Sequence, residues 1–276
     1  MKYRLTVYHS PDSDDAFMFY ALTKGILSDV EMEIDLQLKD IQSLNEMAMR
    51  NEVDVSAVSF HTYAYIYKNY HILPCGASFG DGYGPRIISL ENYSLRDLKG
   101  KKVAIPGRFT TATLAFRMLQ LGAEEIEVPF NEVGQAMREG RADAGILIHE
   151  GQITHQREGF FLVKDLGEWW KEKTGMPLPL GGNIIRKDLP PYVIEKFPLL
   201  MRESVEYSLK NKSEALKFAK DFGRGISESE AESFVSMYVN HWTVDYGEKG
   251  KEAVKIFLDL AFDMNLIPEK PQISFL

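Results

Sequence analysis

Cysteine is almost absent from this 276-residue chain. Cys75 stands alone, so no intrachain disulfide forms and no Cys-x-x-Cys pair can hold zinc. Long apolar runs are also missing, and no segment approaches the roughly 18 uninterrupted apolar residues that a bilayer-spanning helix needs. Positive charge is scarce: 32 Lys and Arg against 40 Asp and Glu leave a formal net charge of −8. That balance disfavours a nucleic-acid partner, because binding a phosphate backbone requires a dense basic surface. Internal repeats, heptads and low-complexity tracts are lacking too. The residues from Lys2 to Tyr8 alternate at once like a strand, with no basic, apolar and small-residue regions in succession. The expectation is therefore a cytoplasmic protein whose partner is a small-molecule substrate. Nucleic acid and membrane insertion are not expected, and a homodimer is the one assembly considered.

What is present is α/β patterning. Up to about residue 190, short β-branched or aromatic runs alternate with helical spacing. Strands are predicted at 3–8, 31–37, 53–58, 86–90, 102–105, 126–130 and 144–148. Helices are predicted at 16–24, around 41–48, and at 61–68, 111–122 and 132–140. From Tyr192 onward the pattern is helical, with Ser227 and Glu230 spaced as a capping box and an amphipathic stretch over 252–264. Two breaks stand out, Gly80-Asp81-Gly82-Tyr83-Gly84-Pro85 and Pro177-Leu178-Pro179-Leu180-Gly181-Gly182. They suggest two chain crossings between α/β lobes, a clamshell. One lobe would hold residues 1–90 plus 182–276 and the other residues 91–181, with a ligand cleft at the carboxyl ends of the strands.

The loops after the strands are therefore the candidates. Ser10-Pro11-Asp12-Ser13-Asp14-Asp15 lacks the alternating ligands and distal Glu of a calcium loop. An Asp or Ser ahead of Ala16 is expected to cap the helix, with Ser10 left as a ligand donor. Ser56-Ala57-Val58-Ser59-Phe60-His61 joins a buried strand to a helix, where small residues let main-chain N–H groups approach an anion. In Ile105-Pro106-Gly107-Arg108-Phe109-Thr110-Thr111-Ala112, hydroxyls and exposed N–H groups suit an anion or polyol, and a plain cap at Thr110 explains the same residues equally well. Finally, Ala144-Gly145-Ile146-Leu147-Ile148 runs into His149, Glu150 and Gly151. A histidine at a cleft-facing strand end titrates near neutral pH and can take a proton next to a carbonyl, while Glu150 either orients it or solvates the loop.

Other chemistries lack their signatures. There is no nucleotide P-loop, no Gly-x-Ser-x-Gly elbow and no His-Glu-x-x-His, and Gly80, Gly82 and Gly84 lead into Pro85 and a strand rather than a dinucleotide-binding helix. No metal site is expected. Trp169 and Trp170 point about 100° apart on a helix, which suits packing better than a stacking platform.

Taken in order, these loops resemble the 1,4-dihydroxy-6-naphthoate synthase family of menaquinone biosynthesis by the futalosine pathway. The residues that carry the resemblance begin with Ser10-Pro11 with Asp15, and Val58-Ser59 before a Tyr-bearing helix. Gly82-Tyr83-Gly84-Pro85, Pro106-Gly107 with Thr110-Thr111-Ala112, and Ile148-His149-Glu150 follow. The set ends with Asp165 to Trp170 and Pro177 to Gly181. The resemblance implies a two-lobed type II periplasmic-binding-protein fold and a lyase that converts cyclic dehypoxanthine futalosine to 1,4-dihydroxy-6-naphthoate without a cofactor. It also implies that His149 is the general base, with Ala57, Val58, Ser59, Thr111 and Ala112 at the substrate and Asn45 and Thr110 beside them. One segment departs from the family: many members have Cys-Pro-Asn-Asp-Thr where this chain has Asp12-Ser13-Asp14-Asp15-Ala16. Three rivals remain, namely a non-catalytic solute-binding protein of the same fold, the related chorismate dehydratase, and a ligand-sensing domain.

Overall fold

The computed structural model describes residues 2–223 and 227–276. Within them, eleven strands occur in chain order: β1 (Tyr3–His9), β2 (Met32–Leu38), β3 (Val55–Ser59), β4 (Tyr70–Ile72), β5 (Ser78–Gly80), β6 (Arg86–Ser89), β7 (Lys102–Ile105), β8 (Glu124–Glu127), β9 (Ala144–Leu147), β10 (Phe161–Asp165) and β11 (Leu178–Arg186). They form two mixed sheets. The first runs β2-β1-β3-β11-β4, with β5 also paired to β11, and the second runs β10-β6-β9-β7-β8. In the first sheet β1 is parallel to β2 and β3, while β11 is antiparallel to β3, β4 and β5.

The sequence pattern explains each strand's place. Leu5 and Val7 of β1 are fully buried on one face, as the period-two alternation requires. β3 is buried along its whole length because β1 and β11 flank it and helices cover it, so it reads as a continuous run of small and branched residues. The capping box at Ser227 forms as spaced: Ser227 Oγ accepts from the Glu230 N–H, and the Glu230 carboxylate accepts from the Ser227 N–H at 2.7 Å. The helix it opens, Glu228–Tyr238, carries Phe234 and Tyr238 to the space between the sheets. Among the described residues no helix is long and apolar enough to cross a membrane.

Strand pairing corrects two boundaries. β6 pairs with β9 and β10, so it belongs to the second sheet although the expected division at residue 90 puts it in the first lobe. The second supposed break is the start of β11, a nine-residue strand at the centre of the first sheet. Its prolines misled because they sit at the strand's beginning, ahead of the ladder with β3 that starts at Gly181 opposite Ser59. A division at 181/182 therefore falls inside one strand.

The crossings themselves are held by glycine. The Tyr83 carbonyl oxygen sits where a Cβ on Gly80 would come within 2.0 Å and a Cβ on Gly167 within 1.9 Å. Gly167 lies at the start of the helix Leu166–Thr174, which leads the chain toward its return. Behind it, Trp170 is fully buried against Phe257, with its indole N–H donating to the Pro177 carbonyl. Both Trp169 and Trp170 thus serve packing, away from the cavity described below. Because the atoms facing Gly167 are backbone, they cannot swing aside. Gly167→Ala is therefore expected to lower the unfolding free energy by about 3 kcal/mol, read from the denaturant midpoint.

Candidate active site

A cavity opens between the two sheets, the kind of concave space that small-molecule ligands occupy. The segments after β1 and β9 and the turn after β7 all reach it, and so do the end of β3 and the first part of β11. Ser10, Ala57, Val58 and Ser59 line it from the first sheet, and Thr110, Thr111, Ala112 and His149 from the second. Asn45 does not line it. Fully buried, it stands behind Ser59 instead: its Oδ1 accepts from the Ser59 N–H at 2.9 Å, and its Nδ2 donates to Ser59 Oγ at 3.1 Å.

His149 follows the end of β9 and is mostly buried. Its Nδ1 lies 3.1 Å from Asp12 Oδ2, whose side chain is 5% exposed. A carboxylate at that distance fixes the proton on Nδ1 and leaves Nε2 as the basic nitrogen. Nε2 is buried and has no hydrogen-bond partner among the described residues. The Phe130 ring meets the imidazole edge-on with centroids 4.2 Å apart, which fixes the ring plane from the side. Glu150, one of the two roles left open for it, does not orient the base. It is buried and accepts from Ser13 Oγ at 2.9 Å, tying the loop after β9 to the first lobe.

The expected capping by the acidic loop is overturned. Asp12 is the N-cap of the helix Ser13–Met18 by position, yet its side chain makes no cap hydrogen bond. Its carboxylate instead takes His149 and the Ser10 hydroxyl, the latter at 2.6 Å. Asp15 accepts from the Ser10 N–H at 2.8 Å and also lies 2.9 Å from Ser10 Oγ. Ser10 has one hydroxyl hydrogen for two carboxylates, so it satisfies one at a time. Asp14 faces the cavity and accepts from Ser78 Oγ at 3.2 Å. Burial, followed by the neighbouring charges of Asp15, Asp12 and Glu150, holds the Asp14 carboxyl well above the usual carboxylate range. Burial raises Asp15 as well, with His9 pulling the other way.

The opposite wall is made of hydroxyls and amides. Thr110 caps the helix Thr111–Arg117 by accepting from the Thr113 N–H, so the plain-cap reading of that residue holds while it also lines the cavity. Thr111 Oγ1 donates to the Leu180 carbonyl at 2.5 Å, which leaves the N–H groups of Thr111 and Ala112 as first-turn donors with no intrahelical acceptor. His61 packs behind this wall, its Nδ1 3.2 Å from the Thr110 carbonyl, and burial lowers its pKa to about 4, keeping it neutral and structural. No three His, Cys, Asp or Glu side chains among the described residues come together as a metal site would require.

Sequence reasoning missed Asp12, Asp14, Ser78 and Tyr238. Tyr238 lines the cavity and donates to Gln152 Oε1 at 2.6 Å, bracing the turn after His149. The one signal available was the departure at 12–16, whose residues form this acidic wall.

Comparison with known proteins identifies the family and the fold. The family model described as menaquinone biosynthesis matches residues 5–263. A 1,4-dihydroxy-6-naphthoate synthase from Thermus thermophilus is 35% identical over 247 residues, covering 89% of each chain. Another so named, from Streptomyces coelicolor, is 34% identical over 270 residues, 96% of this chain and 95% of its own. A crystal structure of an Archaeoglobus fulgidus protein superposes with a TM-score of 0.92 at 42% identity, covering 96% of this chain and 98% of that one. The periplasmic aliphatic sulphonate binding protein of Escherichia coli shares the fold alone, with a TM-score of 0.68 at 14% identity over 99% of this chain and 91% of its own.

Removing the Asn45 amide strands the buried Ser59 N–H. Asn45→Ala is expected to destabilise the protein by about 1–3 kcal/mol, measured by denaturant unfolding.

Proposed function

The chain belongs to the menaquinone biosynthesis family, and on that premise we propose that it is a cytoplasmic 1,4-dihydroxy-6-naphthoate synthase with His149 as general base. Its substrate would be cyclic dehypoxanthine futalosine. The observation that carries the reading is the His149–Asp12 pair facing the cavity between the two sheets.

His149 Nε2 takes a proton from the carbon next to the substrate ketone. The electron pair moves onto the carbonyl oxygen, and excision of the sugar-derived fragment then yields the aromatic naphthoate. Asp12 stabilises the imidazolium that forms, as an orienting carboxylate does in a serine-protease triad. The N–H groups of Thr111 and Ala112, with the Ser59 hydroxyl, face the substrate's oxygens and stabilise developing negative charge without reorganising. Burial of the base excludes water from the intermediate.

Purified protein incubated with cyclic dehypoxanthine futalosine is expected to release naphthoate, followed by absorbance. Ligand-induced stabilisation without product would favour a solute-binding role instead. His149→Ala should abolish turnover while leaving ligand-induced stabilisation nearly intact; turnover like that of the parent chain would overturn the assignment. Asp12→Asn leaves the imidazole in place but loses the tautomer control, so kcat should fall roughly 10²–10⁴-fold with little change in KM.

A further inference from the structure

His149 stands beyond its strand. The ladder between β9 and β6 ends at Leu147 opposite Arg86, two residues short of the base. The helix that follows, Gly151–Thr154, is a single turn, too short to hold its shape without tertiary ties. Gln152 gathers those ties, and it is 1% exposed. Its N–H donates to the His149 carbonyl at 2.8 Å and closes the turn that carries the base. Its own carbonyl accepts from Arg86 Nη1 at 2.6 Å and from His155 Nδ1 at 2.9 Å, both within the second lobe. Its Oε1 accepts from the Tyr238 hydroxyl at 2.6 Å, across the cleft.

The anchors are themselves fixed. Arg86 opens β6, with its Nε 3.3 Å from Asp165 Oδ2, while Asp165 Oδ1 caps the helix Leu166–Thr174. The buried Tyr238 ring meets Phe234 and Tyr83 edge-on, with centroids 5.0 and 5.8 Å apart. We propose that Gln152 is a positioning residue for His149 and that Tyr238 acts through it. The bond across the cleft sets the turn at which the imidazole meets Asp12. Gln152 does not line the cavity, so its part is to place the base rather than to touch the substrate. The inference rests on the reading of His149 as that base. Without the Oε1 acceptor the turn is tied to one lobe only, and the 3.1 Å contact between His149 Nδ1 and Asp12 loses its fixed geometry.

Gln152→Met keeps the side chain's length and the main-chain bonds but loses the acceptor. Misplacing a reacting group by about an ångström costs up to about 10²-fold in rate, so kcat should fall about 10- to 100-fold with KM little changed. Tyr238→Phe removes one oxygen, keeps the ring packing, and should show the same split. Because both changes break a single bond, the double variant should be no slower than the slower single variant. A second readout is independent of turnover. In nitrogen NMR of protein labelled at the histidine rings, with His149→Ala identifying the signals, the parent should show Nδ1 protonated and Nε2 bare. Both variants should show a mixture of the two tautomers.

Losses in kcat that fail to add, together with the mixed tautomer, support the role. Losses that add overturn it. So does a raised KM in Tyr238→Phe beside parent-like kinetics in Gln152→Met, which marks a tyrosine that meets the substrate itself. Ring signals unchanged in a folded Gln152→Met overturn it as well. Should that variant not fold, Tyr238→Phe carries the kcat and tautomer comparisons by itself. If the parent chain releases no naphthoate, the reaction proposed above fails, while the ring signals still decide whether Gln152 sets the imidazole.

Discussion

The site depends on one contact made across the cleft, that of His149 from the second lobe with Asp12 from the first. In the proposed mechanism neither lobe holds a complete base by itself. Without Asp12, the imidazole's proton has no reason to sit on Nδ1; without His149, Asp12 is one more carboxylate in an acidic crowd. The Ser13–Glu150 bond runs alongside and fastens the same two loops. In the proposed mechanism the base is assembled only where the two lobes meet, which couples catalytic competence to exclusion of water.

That arrangement sets the tension in the rest of the wall. Concentrating carboxyl groups at the end of β1 works against folding, since each must be hydrogen-bonded, paired or neutral. The molecule uses all three solutions within four residues: Asp15 is hydrogen-bonded, Asp12 paired and Asp14 pushed toward neutrality. The opposite wall is electrically quieter, built from hydroxyls and amides braced by buried groups such as Asn45 and a neutral His61. A ligand with a hydroxyl-rich end and an acidic end would meet two differently charged halves and so enter in one orientation.

Much of this was legible in advance. Period-two alternation located β1, β7 and β9 closely, because each has the alternation or apolar run that burial demands. The ends of β3 and β9 and the turn after β7 drew attention to Ser59, His149 and Thr111, and the family resemblance supplied the roles expected of them. β11 was hidden because proline and glycine at its start serve a strand edge and a cavity wall, not a turn. β4 and β5 are three-residue strands with no periodicity to detect. The acidic loop was misread for a different reason. Its residues suit a helix cap so well that local chemistry gave no hint of a partner more than a hundred positions away, and only tertiary structure could show where Asp12 points.

The Tyr83 carbonyl, enclosed by Gly80 at the first crossing and by Gly167 at the start of the helix Leu166–Thr174, has an evolutionary corollary. Each glycine is closed to a side chain by the same backbone oxygen, so a change at one opens no room at the other. In descendants of this sequence both positions should stay glycine for as long as that carbonyl keeps its place, so one backbone oxygen constrains the history of two distant stretches.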